Sequence, residues 1–239
     1  MNRGSFPTTQ WSLVLAAVGE DRPKARQALE SLCARYWTPL YAFARRRSLS
    51  PEAAEDAVQG FFAQLIEKDA VRSAQRARGR FRSFLLTSFR HFMSDEWDRA
   101  RAQKRGGEAA HLALDLTGAE ATLPQLLSTA TPENAYERRW ALTTLEQALE
   151  ILEREYAKAG REHLFRALES SLTVEGSPEP HRRLGEELGM TEGAARVAVH
   201  RLRRRYRSLL RQLIADTVSD PEEIEGEIRF LFQALSARR

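Results

Sequence analysis

Thiols are almost missing from this chain. Cys33 is the single cysteine among 239 residues, so no intramolecular disulfide framework is available and a reducing compartment suits the protein. No apolar run approaches the roughly 18 residues that a membrane-spanning helix requires. The N-terminal stretch MNRGSFPTTQW also lacks the apolar core of a secretion signal, so the expected location is cytoplasmic, with no membrane insertion. Alternation of apolar and polar residues never exceeds chance, and there is no repeat or low-complexity tract. The five histidines, His91, His111, His163, His181 and His200, are scattered without metal-ligand or triad spacing. No glycine-rich loop could cradle a phosphate. Asp95, Glu96 and Asp98 are close in sequence, but they point to different sides of one helix and lack a second cluster. These absences count against an enzyme: no catalytic residue, metal or cofactor is expected.

The chain does have clustered positive charge. Net charge is only +4, but where the charges lie matters more for a polyanion than their sum. The densest cluster is in PHRRLGEELGMTEGAARVAVHRLRRRYRSLLRQL, residues 180–213. No Asp or Glu occurs between Glu192 and Asp216, while arginine stands at 196, 201, 203, 204, 205, 207 and 211. A solvated helix face normally mixes signs, so this run suits phosphate; the plainer alternative is a basic helix facing water. The register is that of a helix-turn-helix. A short helix (His181 to Leu188) precedes a Gly189-Met190-Thr191 turn and a long second helix. Gly189 supplies the positive φ of the turn, Gly185 is small where the helices approach, and Thr191 can cap the second helix. Ala195, Ala198, Val199, Leu202, Tyr206, Leu209 and Leu213 form one apolar stripe at helical spacing. Such a pair of helices reads the major groove.

The rest of the chain is also helical in pattern. Thr8 and Thr9 can cap a helix through Trp11 and Val18. A second helix from near Pro23 carries Leu29, Leu32, Cys33 and Tyr36, and Pro39 is expected to kink or restart it. Ser50-Pro51-Glu52 is a strong helix start. The helix it opens has an apolar face (Ala54, Val58, Phe61, Phe62, Leu65) and an acidic polar face (Glu52, Glu55, Asp56, Gln59). Gly60 inside it costs about 1 kcal/mol relative to alanine and has no cap role.

A basic connector from Asp69 to Arg80 leads into FRSFLLTSFRHFMSDEWDRAR, residues 81–101. There Phe81, Phe84, Phe89, Phe92 and Trp97 alternate with arginines. Two readings stand for these aromatics: stacking faces along a cationic track for a single strand, or core residues with a solvated rim. Gly106-Gly107 ends this half. A linker without basic residues runs to about Thr131, and as a coil its roughly 25 residues reach on the order of 25–30 Å. Pro132-Glu133 starts another helix, Gly160 interrupts it, and Val174 to Pro180 forms a loop. Ser219-Asp220-Pro221-Glu222 starts a last short helix with an Ile224, Ile228, Leu231, Phe232, Leu235 stripe. That stripe either packs back on the helix-turn-helix domain, the favoured reading, or meets a regulatory partner. The expected architecture is all-α: a domain over 1–105, a linker over 106–131, a helix-turn-helix domain over 132–215 and a helical extension over 216–239.

The order of these motifs resembles a known family. AEDAVQGFF on an acidic-faced helix, FRSFLLTSFRHF on a basic aromatic helix, a linker and a terminal GMTEGAARVAVHRLRRR are similar to bacterial RNA polymerase sigma factors of the extracytoplasmic-function group. FPTTQWSLVLAA, RGRFRSFLL, RAQKRGG and the acidic tail look like a subgroup with a C-terminal extension. The resemblance implies a sigma region 2-like helical bundle and a region 4-like helix-turn-helix. It implies docking on the clamp helices of the largest subunit of core RNA polymerase through Glu55, Asp56 and Gln59. It also implies contact with the downstream promoter element, in duplex and opened single-stranded form, through Arg80, Phe84, Arg90, His91, Arg99 and Arg101, with the loop Ser73 to Gly79 near a flipped base. The upstream element falls to Arg182, Thr191, Arg196, Val197, His200, Arg201, Arg203 and Arg204. An anti-sigma factor is an optional further partner. The chain departs from the family at Gly60, where many members carry an acid, and at His91, where asparagine is common. The alternative in the binding class is a stand-alone helix-turn-helix regulator with a helical partner-binding domain.

Overall fold

A computed structural model describes residues 22–67, 80–102, 131–172, 179–218 and 220–236. The expected helix after Thr9, the loop Ser73 to Gly79 and the linker 106–130 lie outside these residues. The described residues are helical throughout, with no strand among them. In chain order the helices are α1 (Arg22–Arg46), α2 (Pro51–Glu67), α3 (Phe81–Ala102), α4 (Pro132–Lys158), α5 (Glu162–Glu169), α6 (Glu179–Leu188), α7 (Glu192–Ala215) and α8 (Ile224–Ser236), with 3₁₀ turns at Ser170–Leu172 and Pro221–Glu223.

The chain divides into two compact units. One unites residues up to Thr143 with Ile214–Arg239; the other is Thr144–Leu213. The expected boundaries at 132 and 216 therefore do not coincide with the compact units. The first three turns of α4 and everything after Leu213 belong with the N-terminal helices.

The first unit is built on aromatic packing. α1 runs on through Pro39 as one helix rather than restarting. Proline removes one backbone donor, but the flanking residues Tyr36, Leu40, Tyr41 and Phe43 are all buried, and their packing holds the axis. Ser50 accepts from the Ala53 amide at 3.2 Å and so caps α2. Trp37 stacks on Phe62, Tyr36 meets Phe81 edge-on, and Phe61 meets both Phe89 and Phe92. Ring pairs of this geometry add about 0.5–1.5 kcal/mol beyond the area they bury. Gly60 has its reason here: a Cβ would meet Phe92 Cζ at 3.2 Å, so its helix-propensity cost makes room for a ring.

The tail completes this unit. The Phe81 amide, an orphan donor at the start of α3, donates to Thr217 O at 2.9 Å. Asp220 caps the 3₁₀ turn by accepting from the Glu222 amide at 2.9 Å. On α8, Glu227 and Leu231 are fully buried, and Phe230 packs on Trp140 of α4 at 6.3 Å. The expectation that α8 packs back on the helix-turn-helix domain is therefore corrected. Its buried face lies against α3 and the start of α4, because Arg82 of α3 is an interior cation that needs a carboxylate.

In the second unit, Gly160 has φ +66° and ends the long helix, after which α5 buries Phe165 and Leu168. Tyr156 packs on Phe165 at 5.7 Å. The Tyr206 hydroxyl donates to Leu145 O at 3.2 Å, tying α7 to α4.

Candidate nucleic-acid interface

The helix-turn-helix forms as its sequence requires. α6 begins at Glu179, two residues before the expected start. The turn residue Gly189 adopts φ +62°, where an L side chain is disfavoured by about 1–2 kcal/mol. Gly185 is needed for a different reason: a Cβ there would stand 2.8 Å from the backbone oxygen of Met190. The Met190 amide in turn donates to Gly185 O at 2.8 Å, closing the corner. Thr191 Oγ1 accepts from the Ala194 amide at 3.2 Å, so the expected cap is present. Ala195, Val199, Leu202, Leu209 and Leu213 are buried and fix which side of α7 faces out.

That outer side carries the predicted residues. Arg182, Thr191, Arg196, Val197, His200, Arg201 and Arg204 are all exposed. Val197 keeps 49% of its surface open, unusual for an aliphatic residue inside a helix. Arg196 is bridged to Glu192 at 3.0 Å, but both side chains are largely exposed, and such a pair yields readily to a phosphate. Arg203 differs from its neighbours. It is half-buried, and its Nε and Nη2 both donate to Ser171 O, at 3.0 and 2.6 Å. Its charge therefore closes the carbonyl end of the 3₁₀ turn beside it. Arg205 is held by Glu155, with Nε to Oε2 at 2.8 Å. The hydrogen bond from Arg205 keeps the Glu155 carboxyl below the ordinary glutamate range. The uniform arginine run thus splits into residues that serve the fold and residues that face solvent.

The basic aromatic helix α3 splits in the same way. Phe81 and Phe89 are fully buried, so for them the core reading holds. Phe84 is half-buried beside Phe81 at 6.1 Å. Phe92 is half-buried, stacked 6.4 Å from Phe89. Trp97, by contrast, is 63% exposed at the distal end of α3. Composition did not single it out, because all five rings share one sequence pattern. The signal was its place five residues beyond Phe92, the last ring paired with the core. Arg90 and His91 are exposed, and Arg90 stands 3.7 Å from Glu133. The side chains of Arg99 and Arg101 lie outside the described residues. Arg80 is 38% exposed in its side chain and pairs through Nε with Glu227 Oε2 at 3.0 Å.

Arg82, one of the arginines that the sequence sets beside the aromatics as a cationic track, is instead an interior cation, the best-buried among the described residues of the unit. Its guanidinium makes a two-pronged contact with Glu227 and lies 3.6 Å from Glu137. It is also packed over the Phe230 ring at 3.7 Å and near Trp140 at 5.2 Å. Burial raises the Glu137 carboxyl above its usual range, with Arg82 opposing. The Tyr136 hydroxyl donates to the Arg82 backbone oxygen at 3.0 Å.

On α2, Asp56 is exposed while Glu55 and Gln59 are half-buried. Glu52, also exposed, is held below the ordinary carboxylate range by a hydrogen bond from its own amide, then by Ser50. Among the described residues no three His, Cys, Asp or Glu side chains group as a metal site, and no helix is long and apolar enough to cross a membrane.

Residues 32–103 match the family model of sigma-70 region 2. The match covers the last four turns of α1, all of α2 and all of α3, the three helices that share the aromatic core. No curated protein and no solved structure matches the chain. A sigma-70 region 2 domain is therefore present, and it supports a role in promoter recognition and transcription initiation.

Proposed function

We propose that the chain is a sigma factor of the extracytoplasmic-function group, with a C-terminal extension. It binds core RNA polymerase and directs promoter-specific initiation. The observation that carries this reading is the sigma-70 region 2 match over 32–103 in a chain whose other unit is a helix-turn-helix. A region 2 alone fits several arrangements; joined to a duplex reader it fits a two-element promoter.

The division of labour follows from the chemistry of each face. Arg182, Arg196, Arg201, Arg204 and His200 supply the cationic rim that fixes register on a duplex, with Val197 and Thr191 at base edges. Arg203 contributes through the shape of the unit, by closing the Ser171 carbonyl. On α3, Arg90 and His91 line the track for the downstream element together with Arg80, Phe84, Arg99 and Arg101. Trp97 joins them as a stacking platform, since base–aromatic stacking is worth about 1–3 kcal/mol per base and offsets unpairing. Glu55, Asp56 and Gln59 form the docking face for the clamp helices of the largest polymerase subunit, where an acidic surface suits a basic partner. This role places the protein in the cytoplasm, requires no cofactor and leaves room for an anti-sigma factor.

The test is in vitro transcription with bacterial core polymerase on a promoter library. Enrichment of a shared two-element motif is expected; uniform output across the library defeats the reading. Arg196→Ala and Arg201→Ala are expected to lower promoter-specific transcription while core binding persists. Asp56→Arg is expected to weaken core binding by charge reversal, measured by pull-down. A stand-alone regulator would instead bind a duplex operator at full strength without polymerase.

A further inference from the structure

We infer that Glu227, in the C-terminal extension, is a positioning residue for strand opening, holding Arg80 at the mouth of α3. This rests on the sigma reading above. Glu227 is wholly buried, yet it faces two guanidiniums, Arg80 at 3.0 Å and Arg82 in a two-pronged contact. Arg82 also has Glu137 at 3.6 Å, so the two cations differ in exposure more than in the number of acids near them. Arg82 is 5% exposed and clamped between rings, while Arg80 is 38% exposed. Arg82 is an interior group paired with Glu227 and Glu137; Arg80 is held at Nε by Glu227 while the rest of its guanidinium stays partly open to solvent.

Fixing the side chain matters because an arginine loses rotamer freedom on binding a phosphate or base. Here that loss is met in the free protein. Gly226 faces the same guanidinium: a Cβ there would stand at ordinary contact distance, 3.6 Å, from Arg80 Nη2, and only a larger side chain would displace it. The Phe81 amide bond to Thr217 anchors the neighbouring residue to the same tail. The extension is thus a working part of the α3 surface.

The test uses the full-length chain, core polymerase and a promoter recovered from the library. It follows core affinity, closed-complex formation and the permanganate reactivity of unpaired thymines. Glu227→Gln leaves Glu137 as a partial counter-charge for Arg82. It is expected to keep core affinity and to lower opening on the order of tenfold, the scale of one charge-assisted contact. Arg80→Ala is expected to give the same loss, and the double variant no further loss, because Glu227 acts through Arg80. Normal opening by Glu227→Gln overturns the inference. So does an additive double variant, or a parallel fall in core affinity and opening, which marks a purely structural role. If Glu227→Gln does not fold, Gly226→Leu displaces Arg80 while leaving the carboxylate; it is expected to lose opening with core affinity retained, and normal opening refutes the inference. A wild-type chain silent with polymerase removes the sigma reading and this inference together. An active wild type with indifferent variants removes only the positioning role.

Discussion

Single residues in this protein differ sharply even where the sequence treats them alike. Arg201, Arg203 and Arg205 lie within five positions of one another, but Arg201 is exposed, Arg203 closes the Ser171 carbonyl and Arg205 holds Glu155. The last pair sets a pH dependence. The folded-state pKa of Glu155 is lowered by the Arg205 hydrogen bond, so its stabilisation is full above the ordinary glutamate value. It is lost as pH falls through the lowered folded value. Glu155→Gln is expected to remove this acid-side loss, with a cost at neutral pH of about 0.2–1 kcal/mol, as for exposed pairs. Urea titrations at several pH values measure it, and an unchanged acid limb for the variant contradicts the assignment. The sequence showed that the arginine run was exceptional. It did not show which arginines were committed inward, because Ser171 and Glu155 lie 32 and 50 residues from their partners.

Elements whose physics is local were legible from the start. The caps at Ser50 and Thr191, the positive φ at Gly189 and the close approach at Gly185 all follow from residues within a turn or two. Gly185→Ala is expected to destabilise the helix-turn-helix by about 1–3 kcal/mol, because the new Cβ meets a backbone oxygen that cannot swing away. Thermal unfolding tests this; a melting temperature equal to wild type would mean the corner relaxes freely. Gly60→Ala is expected to be milder, since its neighbour at 3.2 Å is the Phe92 ring edge, a side chain that can shift. At Pro39 the helix does not restart, for the opposite reason. A local rule asked for a break, and packing of four buried neighbours outweighed it. The rings of α3 divided by depth, which periodicity could not resolve because the apolar positions exceed one stripe.

At the scale of the whole molecule, the units do not follow the order of the motifs. The C-terminal helix belongs to the unit that begins with α1. No pattern in residues 221–236 announces this, since an amphipathic stripe states only that something covers it. The partner became evident through Glu227, an acid on the buried face of α8. Deleting residues 221–239 is expected to destabilise the first unit by about 2–5 kcal/mol, because it removes the buried Leu231 side chain and the Glu227 partner of Arg82 together. It should also weaken binding to core polymerase. Circular dichroism melting of the deletion chain checks it, and an unchanged transition would make the tail dispensable.

The pairing of Arg82 with Glu227 spans 145 positions, and a ribosome reads those positions in order. At about 5–20 residues per second, the partner of a buried arginine emerges roughly 7–30 s after the arginine itself. Through that interval α3 exists without the Glu227 carboxylate that its buried arginine meets in the folded unit.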